Sequence, residues 1–271
     1  MTVELDGACV VVTGGGHGIG RALAERFATE GAKVVVADLL GPRAEKVAQR
    51  IGGLAVPGDV ASSAAIGALV DRAVDAFGPI GVFCSNAGIT GPSGLEASDD
   101  EIDQITRVNL LTHVWAARAV VPAMVENGGG HLVQTLSSAA LISGPAPMGY
   151  TFTKHGALGF AEWLQITYAD RGITVTCLCP NLVNTGMIGR NEDDEAGGTA
   201  HALPPGLGDV VQPEECAEQT LAAMREGRFL VLPHPQVGRS FRRKGEDYDG
   251  WLAHTTERLR PPRPASSAAD G

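Results

Sequence analysis

The chain begins with a short apolar run, Ala8-Cys9-Val10-Val11-Val12, that stops at Thr13. It meets the cluster Gly14-Gly15-Gly16-His17-Gly18-Ile19-Gly20, after which the period lengthens. Ile19, Leu23 and Phe27 fall four apart on one helical face, with Arg21, Glu25 and Glu30 off it. Gly31 ends that helix, and Lys33-Val34-Val35-Val36-Ala37-Asp38 reads as a second buried strand. The alternation then repeats: helix over 42–51, a brief strand at 54–56, helix over 62–77 and strand over 80–85. A long helical pattern covers 99–126, where Pro122 is expected to bend the last turns. Residues 131–137 predict a strand, 150–170 a helix and 173–179 a strand.

Apolar strands interleaved with helices of this length specify βαβ units, and so a parallel sheet covered on both faces. Right-handed crossovers reduce the topologies chiefly to one α/β, doubly wound, Rossmann-type domain, expected over residues 1–260. Residues 191–209 break the rhythm, being acidic and rich in Gly and Pro. They read as a substrate lid, over about 187–209, or as a poorly ordered loop; their place after a core strand, where such sheets bind ligands, favours the lid. The tail 261–271 carries no core-forming pattern and is expected to be disordered.

Composition narrows the function. The 271 residues are 44% hydrophobic and 19% charged, enough apolar material for a sizeable core. Glycine, at 36 residues, is well above its usual share. A net charge of −10 disfavours nucleic acid and anionic membranes as partners. No stretch reads as a transmembrane helix or a signal peptide, and five scattered cysteines suggest reduced thiols, so a soluble cytoplasmic protein is expected.

Gly14, Gly18 and Gly20 sit between a strand and a helix, where backbone N–H groups can approach a pyrophosphate closely and the helix N-terminus adds favourable dipole charge. A glycine cluster alone serves a tight turn equally well. Asp38 adds weight: it ends the second strand about twenty residues beyond Gly18, where a carboxylate accepts hydrogen bonds from the adenosine ribose hydroxyls. Its charge repels a 2′-phosphate, which points to NAD rather than NADP. Further on, Tyr150 and Lys154 stand four apart on one helix face. A free phenol, with a pKa near 10, is a poor base at neutral pH; an adjacent ammonium and a positive nicotinamide ring both favour phenolate. An isolated Tyr-x-x-x-Lys is more often a surface pair. This one opens the helix after a strand whose carboxyl end carries Ser137-Ser138.

Thr13-Gly14-x-x-x-Gly18-Ile19-Gly20, Asn86-Ala87-Gly88, Asn109, Ser137-Ser138, Tyr150-x-x-x-Lys154 and Pro180-x-x-Val183-x-Thr185 together resemble the ordered motif series of the short-chain dehydrogenase/reductase family, over roughly residues 5–235. The resemblance implies a seven-stranded sheet, a bound NAD(P), and a Ser–Tyr–Lys–Asn catalytic set. Tyr150 would be the general acid/base, Lys154 would bind the nicotinamide ribose and lower the Tyr150 pKa, Ser138 would hydrogen-bond the substrate oxygen, and Asn109 would hold a relay water. Asn86 and Gly88 would line the adenosine side, Asp59 and Val60 would flank adenine, and Val183 and Thr185 would hold the carboxamide. His17, inside the glycine loop, is a further candidate near phosphate. A homotetramer, or a dimer, is implied, with the helices over 99–126 and 150–170 pairing across subunits.

Three departures stand out. Ser85 replaces the usual Asn before Asn86, and Asn181 replaces the Gly after Pro180, which would crowd the nicotinamide pocket. The serine usually lies about thirteen residues before the tyrosine. That count points to Ser137, whereas the local order Ser137-Ser138-Ala139-Ala140 points to Ser138, which we expect; alternation lets only one face the cleft. Of the remaining candidates, Cys177 and Cys179 read as core thiols rather than metal ligands, and His155 as packing. Leu141, Met148, Met187 and Ile188 are possible pocket walls. The basic run Arg239-Ser240-Phe241-Arg242-Arg243-Lys244 reads as a solvated or interface face. The expected activity is NAD-dependent interconversion of a secondary alcohol and a ketone, on an apolar (alicyclic, aromatic or steroid-like) substrate. A 3-oxoacyl thioester reductase, a sugar alcohol dehydrogenase and a non-catalytic NAD sensor remain the alternatives.

Overall fold

The structure, a computed structural model, describes residues 4–91, 94–188 and 209–260. Strands β1 (Cys9–Thr13), β2 (Lys33–Asp38), β3 (Leu54–Pro57) and β4 (Ile80–Ser85) alternate with helices α1 (Gly18–Thr29), α2 (Gly41–Ile51) and α3 (Ser63–Phe77). Helices α4 (Asp99–Thr106) and α5 (Thr112–Glu126) follow, then β5 (Gly130–Thr135), α6 (Met148–Tyr168) and β6 (Ile173–Leu178). The chain closes with α7 (Pro213–Glu226), β7 (Leu230–Val231), α8 (Pro235–Glu246) and α9 (Tyr248–Leu259). All seven strands are parallel, in the order β3-β2-β1-β4-β5-β6-β7. The expected lid lies almost entirely, and the expected tail wholly, outside the described residues.

Local chemistry explains the element boundaries. Pro42 sits in the first turn of α2, and Gly52 caps its end at φ 66°, a conformation that penalises any Cβ. Ser62 accepts the Ala65 N–H at the start of α3. Ser98 and Glu101 form a capping box on α4, with Asp99, Asp100 and Glu101 in its first turn. Because side chains alternate along a strand, each strand feeds two cores. Val11, Val35, Phe83 and Leu132 pack against α3, α5 and α6, while Val10, Val12, Val34 and Val133 pack against α1, α2 and α7.

The helical stretch 99–126 is interrupted not at Pro122, through which α5 continues, but at a π turn over Arg107–Leu111. Contrary to the sequence reading, Asp99–Glu126 has the length and hydropathy of a membrane-crossing helix. Its apolarity is explained by packing, because Ala116, Ala117, Val120, Val121 and Met124 enter the core beside the sheet.

Strand order reverses between β1's two neighbours, β2 and β4, which opens a crevice at the carboxyl ends of the sheet. One side chain ties its two walls together. The Thr13 hydroxyl donates to Cys84 O at 3.3 Å and accepts the N–H groups of Asn86 and Ala87 at 3.0 and 3.1 Å. Thr13→Val would leave all three backbone groups without that partner. We expect it to cost about 1–3 kcal/mol in urea unfolding and to weaken dinucleotide binding; wild-type stability would contradict this account of the crevice.

Candidate active site

The crevice continues into a cleft of about 440 Å³ running from the β2–α2 turn to the start of α6. At one end lies the glycine loop. Gly14 adopts φ 62°, and a Cβ on Gly20 would run into the Gly14 carbonyl oxygen. These two positions keep backbone on the surface of the cleft, as a pyrophosphate requires. Gly18 and Ile19 line the cleft from the first turn of α1, and His17, its exposed N-cap, lies beside them. The buried Asp38 carboxylate accepts the Gly16 N–H at 2.9 Å and the Leu40 N–H at 3.0 Å, which fixes its orientation at the end of β2. Asp59 closes that end, exposed and in a turn in which its Oδ1 accepts the Ala61 N–H, with Val60 next to it. The Asn86 amide donates to the carbonyls of Thr13 and Gly14, so Asn86 braces the glycine loop as well as lining the cleft. The glycine cradle, with a carboxylate at its far end, fits a dinucleotide.

At the other end Lys154 is 2% exposed, and its Nζ donates to Thr135 O at 3.0 Å. It lies 5.6 Å from the centre of the Tyr150 ring. Burial pushes its pKa down to about 8. Burial also raises the Tyr150 phenol above its ordinary value, and a hydrogen bond with Ser137 pulls it the other way. In the free protein, therefore, desolvation outweighs the effect of Ser137. Gly88 leaves room here: a Cβ on it would sit 3.6 Å from Lys154 Nζ and 3.5 Å from Asn109 Oδ1. Asn109 is fully buried in the π turn. Its Oδ1 accepts the Ile89 N–H and its Nδ2 donates to Ile89 O, both at 2.8 Å. Both ends of the amide thus hold the loop under the cleft, where the sequence suggested a relay water.

The structure sets the two serines apart. Ser137, buried, lines the cleft together with Tyr150, whereas the Ser138 hydroxyl donates to Asn181 Oδ1 at 3.3 Å. Ser138 opens the Ser138–Ala140 turn that follows β5.

Val183, Thr185 and Met187 line the cleft from the β6 side, next to Pro180 and Asn181. Asn181 is steadied by a residue that sequence reasoning missed. Buried His234 accepts the Asn181 N–H on Nδ1 at 3.1 Å, so its Nε2 carries the proton and bonds Leu182 O and Asp209 O, each at 3.1 Å. Leu141 is a core residue and not a pocket wall. Cys177 and Cys179 are buried free thiols. Lys244, expected on a solvated face, is buried.

This site and this sheet define a dinucleotide-dependent oxidoreductase, and comparison with known proteins agrees. The short chain dehydrogenase family model matches residues 8–196, and the chain belongs to that family. It is 33% identical over 272 residues to the 1-deoxy-11-beta-hydroxypentalenate dehydrogenase of Streptomyces exfoliatus, covering 97% of this chain and 94% of that protein. It is 32% identical over 240 residues to the human estradiol 17-beta-dehydrogenase 11, covering 85% and 76%. Among solved structures, a short chain dehydrogenase/reductase from Burkholderia phymatum in complex with NAD superposes with a TM-score of 0.80 at 28% identity, covering 97% of this chain and 99% of that one.

The Lys154 amine makes stability depend on pH in a predictable sense. Below about 8 it is protonated in both the folded and the unfolded chain, and its burial cost is felt in full. Between about 8 and its ordinary 10.5, the unfolded chain binds more protons, so its contribution to stability rises with pH. Guanidinium unfolding of the cofactor-free protein should show wild type gaining on Lys154→Met as pH is raised through that window. A flat difference would contradict the buried, desolvated amine.

Proposed function

We propose that the protein is an NAD-dependent dehydrogenase that interconverts a secondary alcohol and a ketone on an apolar, alicyclic or steroid-like substrate. The observation that carries this reading is Ser137, Tyr150 and buried Lys154 lining one end of a cleft that has a glycine cradle and Asp38 at the other. NAD, when bound, supplies the hydride acceptor. Ser137 donates a hydrogen bond to the substrate oxygen and Tyr150 takes its proton. Lys154 contributes the positive charge that favours phenolate, and its amine would bind the nicotinamide ribose. Asn109 acts through Ile89 and Gly88 as a positioning residue. Asp38 accepts from the adenosine ribose hydroxyls and opposes a 2′-phosphate, which supports NAD over NADP. The apolar class is supported by Ile89, Val108, Leu136 and Met187 along the catalytic half of the cleft, and by the substrates named for the relatives.

Oxidation of apolar secondary alcohols with NAD, followed at 340 nm, tests the reading. Tyr150→Phe should lose about 10²–10⁴ in rate and keep its NAD affinity. Ser137→Ala should lose about 10²–10³, with Ser138→Ala losing far less. Turnover only of charged sugars or acyl-carrier thioesters would reject the apolar class, and a Tyr150→Phe variant indistinguishable in every assay would favour a sensor.

Assembly through α6 accords with its exposed apolar side chains, Phe152, Trp163 and Ile166. Sedimentation should show an oligomer that Trp163→Glu disrupts; a wild-type monomer at micromolar concentration would count against it.

A further inference from the structure

Lys244 on α8 points inward, 8% exposed, while its neighbours Arg242 and Arg243 face solvent. Its long stem could carry the ammonium to the surface at little cost. Instead Nζ donates to Leu141 O at 2.8 Å and lies 3.5 Å from His155 Nε2. It also sits over the rings of Tyr248 and Trp251 on α9, 5.4 and 5.2 Å from their centres. These partners are a carbonyl, an imidazole nitrogen and two aromatic faces rather than a carboxylate. The His155 tautomer fits: its Nδ1 donates to Thr151 O at 3.0 Å, leaving Nε2 to accept. Desolvation lowers the lysine's pKa from its ordinary value.

An ammonium drawn inward without a counter-carboxylate among the described residues costs stability unless its contacts offset the lost hydration, so what it connects is informative. Leu141 follows the Ser138–Ala140 turn, and its own N–H is bonded to Ser138 O at 3.0 Å. His155 follows Lys154 on α6 and bonds the carbonyl of Thr151, the residue after Tyr150. The two walls of the site, the serine turn and the tyrosine helix, therefore meet at one nitrogen.

We infer that Lys244 is a positioning residue for hydride transfer: through Leu141 and His155 it sets the separation of Ser137 from Tyr150 and Lys154, with α8 and α9 as the clamp that holds it there. The kinetic side of the inference rests on the dehydrogenase reading above; the structural side does not. A displacement of about 1 Å at such a site can cost on the order of 10²-fold in rate.

The test compares Lys244→Met and Lys244→Arg with wild type. Lys244→Met should lower kcat for a secondary alcohol by roughly 10²-fold, with KM and NAD affinity little changed, and Lys244→Arg should recover most of the loss. Hydrogen exchange should quicken in residues 138–147 of Lys244→Met and remain unchanged in 209–231. Wild-type kcat, a loss that tracks NAD affinity, or unchanged exchange in 138–147 would overturn the inference. If Lys244→Met does not fold, Tyr248→Leu combined with Trp251→Leu should produce the same changes in weaker form, and their absence would overturn it equally. If wild type oxidises no alcohol, the function reading has failed and hydrogen exchange alone decides whether the clamp exists.

Discussion

A cation held out of water at the carboxyl end of a parallel sheet is the constraint around which this molecule is arranged. The Lys154 ammonium has one backbone carbonyl as its hydrogen-bond acceptor, that of Thr135, and almost no exposure. Burial of this kind opposes charge, which is why the amine titrates near 8 instead of 10.5. The same burial keeps His113, one turn beyond Asn109, neutral: desolvation and then the charge of Lys154 push its pKa down to about 3. Near neutrality the catalytic end thus has one positive side chain, and a phenol beside it that is not yet a base. In the proposed reaction Lys154 would supply part of the charge that a phenolate requires, and a bound oxidised dinucleotide the rest.

Such a site can be held only if the surrounding backbone is rigid. The π turn directs Asn109 into the loop at Ile89 and places it beneath Gly88. Thr13 and Asn86 lock β1's loop to that of β4, and His234 locks Asn181 to Leu182 and Asp209. Each link joins segments distant in sequence through hydrogen bonds to backbone, where a lost partner is costly. The strands that carry these loops are buried on both faces. Their apolar cores supply the stability against which the polar ends of the sheet are organised.

Much of this was legible in the chain. A change of period from strand to helix marks every crossover as far as β6, because a parallel sheet requires fully apolar strands and amphipathic helices. Gly14, Gly18, Asp38, Tyr150 and Lys154, singled out by local spacing, which sequence displays, come together along one cleft. What was misread depends on three-dimensional packing. The π turn has no compositional mark, since Arg107-Val108-Asn109-Leu110-Leu111 is ordinary helical sequence. Lys244 sits in a basic run that looks solvated, and only the approach of α9 and the Leu141 carbonyl turns it inward. His234 has no neighbours in sequence that hint at Asn181.

The central claim is that this cleft takes a hydride from a carbinol carbon while Tyr150 takes the proton from its oxygen. The most direct measurement is oxidation of an apolar secondary alcohol deuterated at the carbinol carbon, with NAD in excess. The account predicts reduced cofactor carrying the deuterium at C4 of its nicotinamide ring. Unlabelled reduced cofactor, or tight NAD binding with no reduction across a broad set of such alcohols, would contradict it.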